Sequence, residues 1–349
     1  MARGSTVERG EVRASRRLSR RTFVSGIAGL GAATLITRCG GQIAQPSSSP
    51  RVRRIGYLSG NARASVANLS GPFLQELRDL GYIDGRNVLI EFRIADNANE
   101  RLPAMAAELV AMPVDVLVAE AGPAQLVAKS ATSTIPIVFI LGQDPVASGL
   151  VTSLARPGGN VTGVATLSIA LSGKKIELLK ETVPDLTRVA VVYNANNTTI
   201  AQAQAMQDAA RLLGLQSELF GARSADELDA TLASIASQRF DGLAMTPCLS
   251  VVRDHSQVPD LAARLQLPHI VSDIEITRAG GLMHLGANYA DLYRKMAHVV
   301  DKVLKGARPS DLPVEQPTRF DFVVNLSMAT RLGLTVPASV LRQATELIH

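Results

Sequence analysis

IPIVFILGQDPVASGLVTSLARPGGNVTGVA, residues 135–165, decides how this chain folds. Its apolar run, 137–141, is short and β-branched, the composition of a strand buried on both faces. Gly142-Gln143-Asp144-Pro145 ends that run in polar groups and a turn. A short amphipathic stretch follows, broken by Arg156-Pro157-Gly158-Gly159-Asn160, which no helix or strand interior accepts. Val161-Thr162-Gly163-Val164 then opens a new strand. The polar turn reads as one wall of a ligand cleft, and the last strand as part of a hinge between two lobes.

The same rhythm extends in both directions. Upstream, a strand at 53–58 closes on Ser59-Gly60, and Phe73, Leu74, Leu77 and Leu80 recur at helical spacing before Gly81. Strands at 87–94 and 114–119 flank a helix at 102–112 with Pro103 in its first turn, and a helix follows at 124–131. Downstream, strands at 188–193, 216–220, 241–245 and 269–271 alternate with helices at 174–183, 200–213, 225–236 and one ending at 265. A crossing strand at 280–286, a long amphipathic helix at 289–305, a strand at 318–325 and a final helix at 337–348 complete the chain. Single helices between strands imply parallel sheets with right-handed crossovers. The pattern predicts two Rossmann-like α/β lobes joined by three strands, near 161–165, 282–286 and 308–316. The expected division is 51–163 with 287–310 as the N-terminal lobe, and 164–286 with 311–349 as the C-terminal lobe.

Composition agrees. Hydrophobic content of 46% with only 4% aromatics and no Trp fits parallel sheets, not a disordered chain or a sandwich. The isoelectric point near 9.4 invites a nucleic-acid reading. Eight Arg and two Glu lie in residues 1–50, leaving 28 Lys and Arg against 29 Asp and Glu in the rest. The basic excess belongs to the N-terminus alone. There, Arg20-Arg21-Thr22-Phe23 precedes a weakly apolar Gly/Ala-rich core to Ile36, as in a twin-arginine export signal. Residues 1–50 are therefore read as signal peptide and tether. Cys39 is the candidate lipidation site, although Arg38 stands where a lipobox wants a small residue.

In open α/β folds, ligands bind outside the carboxyl ends of the strands. The residues found there are Ser59, Gly60, Ala121, Gly122, Gln143, Asp144, Asn194, Thr246 and Asp273. Closure of the lobes would gather them around a small polar molecule, with Asp273 holding an amino group. Helix capping is the competing role for Asp144 and Asp273, since both directly follow strands.

The chain resembles the substrate-binding proteins of bacterial ABC importers, in particular the family whose members bind aromatic or other amino acids in a type I periplasmic-binding fold. The resemblance rests on IGYLSG, FLQELRDLGYIDGRNVLIEFR, IPIVFILGQDPVASGLVTSLARPGGNVTGV, RAGGLMHLG, VLKGARPSDLPVEQPTRFDFVVN and ATRLGLTVP, and spans roughly 52–347. It implies a periplasmic location and delivery of a small-molecule ligand to an importer permease with its ATPase. It also implies a monomer without cofactor, nucleic acid or catalysis, touching the membrane only through the importer or a lipid anchor. Amino-acid binders of the family tend to carry Ser or Thr where this chain has Ala121-Gly122. They tend to carry Asp-Asn where it has Thr246-Pro247-Cys248, so the ligand is open between an amino acid and a related metabolite.

No enzyme constellation is present. The five His residues lack ligand spacing with Cys or carboxylates, and there is no G-x-S-x-G, Walker loop or G-x-G-x-x-G. Two rivals remain. A ligand-responsive transcription regulator would need a DNA-binding headpiece, where residues 1–50 offer an apolar signal core. An extracytoplasmic sensory module of a signalling system would have the same sequence features.

Overall fold

A computed structural model describes residues 51–349 except 122, 143, 197, 198, 249, 250 and 253. The expectations placed on Arg20, Arg21, Cys39, Gly122 and Gln143 lie outside the described residues, as do the signal and tether.

Strands β1 (Arg53–Ser59), β2 (Val88–Ile94), β3 (Val116–Glu120), β4 (Ile137–Leu141) and β5 (Val161–Ala165) form one parallel sheet in the order β2-β1-β3-β4-β5. Every residue of β3 and β5 is buried, which is why neither strand alternates between apolar and polar residues. Helices α1 (Arg63–Leu69) and α2 (Gly71–Asp79) cover one face, while α3 (Leu102–Ala111) and α4 (Ala124–Ala131) cover the other.

The second lobe holds α5 (Ala170–Thr182), β6 (Arg188–Asn194), α6 (Ile200–Leu212), β7 (Gln216–Ala222), α7 (Ala225–Ser237) and β8 (Gly242–Met245). It continues with α8 (Gln257–Leu265), β9 (His269–Val271), α9 (Ile274–Arg278) and β10 (Met283–Ala287). Helix α10 (Tyr289–Leu304) then returns to the first sheet, burying Leu292, Met296, Val299 and Val300 beside Phe73 and Leu77. Its start is set by Asn288, whose Oδ1 accepts from the Asp291 N–H at 2.8 Å. Finally β11 (Phe320–Asn325), α11 (Leu326–Arg331), α12 (Ala338–Leu341) and β12 (Glu346–Ile348) complete the second sheet, ordered β12-β11-β10-β9-β8-β6-β7. Among the described residues only the β10–β11 pair is antiparallel.

Within the opening stretch, β4 and β5 pair directly, Phe139 opposite Gly163. A Cβ at position 163 would sit 2.2 Å from the Phe139 carbonyl oxygen, so the backbones meet only because the residue is glycine. The intervening amphipathic stretch forms turns, with Leu150 and Val151 buried. Asn160 ties the loop back by donating to the Thr132 and Ile135 carbonyls.

The chain crosses between lobes three times, through residues 166–169, at 288, and through 316–319. The first sheet keeps its segments slightly longer than the expected division. Val164 and Ala165 remain in β5, and residues 312–315 run beside it. Thr162 donates to the Leu312 carbonyl, and Glu315 N–H donates to the Gly163 carbonyl. The expected C-terminal helix at 337–348 is corrected as well: only four residues are helical. Thr345 instead pairs with Phe322 through both backbone and hydroxyl and starts β12.

Candidate functional site

Between the carboxyl ends of the two sheets lies a cavity of about 260 Å³. Its first wall is organised by Glu120, the last residue of β3, which is 1% exposed. No cation neutralises this carboxylate among the described residues. Four neutral donors hold it instead. Oε2 accepts from the Tyr57 hydroxyl and from the Tyr293 hydroxyl, the latter at 2.8 Å; Oε1 accepts from Ser59 Oγ and Asn61 Nδ2, each at 3.1 Å. Burial, reinforced by the charge of Glu120, raises both phenols well above their ordinary pKa, so they stay protonated donors. A buried carboxylate is tolerated when its lone pairs are filled in this way.

The second wall is built at the end of β9. Asp273 Oδ2 accepts from the Cys248 N–H at 2.7 Å. Lys175, 1% exposed on α5, donates to Ser272 Oγ at 2.5 Å, and Ser272 passes its own proton to the Met245 carbonyl. Burial pushes the Lys175 pKa down to about 8, against the opposing pull of the Asp273 carboxylate. Burial pushes the Cys248 thiol well up, and the charge of Asp273 adds to this. His284, on β10, is pushed down to about 3 by burial first and by Lys175 second, so its ring is neutral.

Two contacts bring the walls together. Asn99 Nδ2, from the first lobe, donates to the Asn196 carbonyl of the second at 2.6 Å. Gly142 approaches α6 so closely that a Cβ there would lie 3.1 Å from Gln202 Nε2.

Of the nine candidate residues, Ala121 and Asp273 line the cavity. Ser59 stands behind Glu120 as one of its donors, and the Gly60 N–H donates to the Glu120 carbonyl. A Cβ at Gly60 would meet the Ala121 carbonyl oxygen at 2.9 Å, so the turn requires glycine there. Asn194 and Thr246 are buried away from the cavity. Asn194 Oδ1 accepts from the Asn196 N–H, and Thr246 sits 3.9 Å from the Cys248 sulfur. Asp144 is exposed and receives the Val146 and Ala147 N–H groups, so it caps a turn and does not line the cavity. Asp273, by contrast, makes no side-chain cap to α9. Sequence reading missed Glu120, Lys175, Ser272, His284 and Tyr293. The charged Glu120 closing the apolar run VLVA was the one legible signal among them.

No group of three or more His, Cys, Asp or Glu among the described residues is arranged to hold a metal ion. No helix among them is long and apolar enough to cross a membrane.

A family model described as ABC transporter substrate binding protein matches residues 57–348. The chain is 28% identical over 309 residues to a tyrosine-binding protein of Clostridioides difficile, covering 86% of this chain and 88% of that one. Among solved structures it resembles an ABC domain from Streptococcus pneumonia in complex with L-Trp, at 28% identity, 85% and 99% coverage and a TM-score of 0.76. It also resembles a ligand-free, open substrate-binding protein with adhesive properties from Clostridium difficile, at 27% identity, 85% and 99% coverage and a TM-score of 0.61.

Proposed function

The chain belongs to the ABC transporter substrate-binding protein family, whose work is binding and not catalysis, and we propose that it captures a small polar ligand between its lobes and delivers it to an ABC importer. The ligand class is an amino acid or a related metabolite. The observation that carries this is the cavity itself, walled by Glu120 and Asp273 from opposite lobes and bridged by the bond from Asn99 to Asn196. Relatives that bind tyrosine and L-Trp support the size and polarity of the occupant. Release requires the crossings at 166–169, 288 and 316–319 to act as a hinge. Export through the twin-arginine signal at Arg20-Arg21 places the protein outside the cytoplasm, with Cys39 as the anchor if it is lipidated.

Small-angle scattering with and without ligand tests the capture. Saturating ligand should favour the compact form, and ligand removal should expand the particle. A radius of gyration that ligand does not change would overturn the reading. Replacing Arg20 and Arg21 by Lys should leave the protein in the cytoplasm on fractionation; normal export of that variant would remove the twin-arginine assignment.

A further inference from the structure

We propose that the captured molecule is a small organic cation rich in hydrogen-bond donors, an amine or guanidinium without a carboxylate, rather than a zwitterionic amino acid. This rests on the capture reading above and deepens it. Charge and the identity of unpartnered atoms support it independently.

The charge balance of the cavity is negative. Among the described residues that line it, Glu120, Asp273, Glu275 and Asp321 are carboxylates, and Arg278 is the one cation. Arg278 turns outward to Glu346 at 3.3 Å and its side chain is 55% exposed. Even with Lys175 counted behind the wall, four carboxylates face two cations. A zwitterion would leave that excess uncompensated in a largely buried cleft, where charge interactions are stronger than in bulk water.

The unpartnered atoms are acceptors. Gln202 Oε1 and His284 Nδ1 are buried without a hydrogen-bond partner, and both residues are 2% exposed and line the cavity. An amide oxygen only accepts. The neutral His284 ring has one N–H, and in the tautomer that carries it on Nε2, Nδ1 is an acceptor. The side-chain donors around Glu120, Ser272 and Asp321 are meanwhile spent within the protein. Tyr57, Ser59, Asn61 and Tyr293 serve Glu120; Lys175 serves Ser272; Asn288 serves Asp321. An occupant with N–H groups satisfies Gln202 Oε1, and His284 Nδ1 in that tautomer, whereas a carboxylate would set acceptor against acceptor at both atoms.

Calorimetry and thermal shift on the purified full chain provide the test, using agmatine and putrescine as cations, L-tyrosine and L-tryptophan as zwitterions, and glutarate as an anion. At least one of the two cations should raise Tm and bind at least tenfold more tightly than any zwitterion or glutarate, with affinity falling as salt rises. Glu275→Gln, a half-buried change that leaves the walls intact, should weaken cation binding about tenfold and, at low salt, raise the Tm of the ligand-free protein. Tighter binding of a zwitterion or of glutarate, unaffected by Glu275→Gln, overturns the cation assignment. If that binding is accompanied by compaction in scattering, the capture reading survives alone. If no probe binds and no compaction occurs, both fall.

Discussion

Asn99 and Asn196, 97 residues apart in sequence, meet across the mouth of the cleft, the side-chain amide of one donating to the main-chain carbonyl of the other at 2.6 Å. Asn99 follows β2 in the first lobe and Asn196 follows β6 in the second, so this bond exists only while the lobes are together. Its loss does not touch either core.

Asn99→Ala should therefore leave the unfolding midpoint of each lobe nearly unchanged and speed ligand dissociation. One net hydrogen bond is worth about 0.5–1.5 kcal/mol, up to about tenfold in rate. Stopped-flow dissociation checks it, and an unchanged off-rate with unchanged scattering would show that the contact plays no part in closure.

Glu120 makes the opposite prediction. Its neighbours Tyr57, Ser59, Asn61 and Tyr293 are all donors, so Glu120→Gln would turn an amide N–H₂ toward donors that need an acceptor. The expected cost is about 1.5–3 kcal/mol of stability in urea unfolding. Tyr293→Phe removes one donor only and should cost less. A fully stable Glu120→Gln protein would show that the cluster does not hold the first wall.

Lys175 gives a pH dependence above neutrality. Its folded pKa of about 8 lies below the ordinary 10.5, so between those values the unfolded chain binds the extra proton. Stability rises with pH wherever the unfolded state binds more protons. The penalty for burying this ammonium is thus complete below pH 8 and relieved as pH climbs toward 10.5. The stability of wild type relative to Lys175→Met should rise across that window. A difference that stays flat would mean that Lys175 keeps its ordinary pKa.

His269 gives one on the acid side. Buried on β9, it accepts the Leu282 N–H through Nε2 at 2.9 Å and faces the Leu267 carbonyl with Nδ1, which requires the neutral ring. Burial pushes its pKa down from 6.5 to about 4. Here too the unfolded chain binds the extra proton, so stability is intact above pH 6.5 and falls as pH drops toward 4, by about 3 kcal/mol. The His269 imidazole resonance should not titrate until about pH 4; titration near 6.5 in the folded protein would disprove the assignment.

Gly163→Ala should disrupt the pairing on which the first crossing depends, because the new methyl would fall 2.2 Å from the Phe139 carbonyl oxygen. A backbone atom cannot step aside as a side chain can. Loss of soluble folded protein, or a stability drop of more than about 3 kcal/mol, is expected. A crystal structure of a stable Gly163→Ala variant with β4 and β5 still paired would refute it.

The crossings fall at 166–169, 288 and 316–319, a few residues beyond the expected 161–165, 282–286 and 308–316; the amino-acid sequence by itself determined the alternation of strands and helices and the two sheets. Those features rest on periodicity, glycine and proline stops and helix caps, which act between residues a few positions apart. The expected helix at 337–348 failed for the same reason seen from the other side. Its local pattern suited a helix, but Thr345 found Phe322, 23 residues away, and made a strand. The site was decided at longer range still. The donors to Glu120 stand 59 to 63 residues before it and 173 after it, and Lys175 reaches Ser272 across 97 residues. Asp144 and Asp273 follow their strands in the same way and are indistinguishable in sequence. Tertiary packing left one at the surface, where nearby N–H groups and water satisfy it, and closed the other into the cavity wall, where burial makes its charge count.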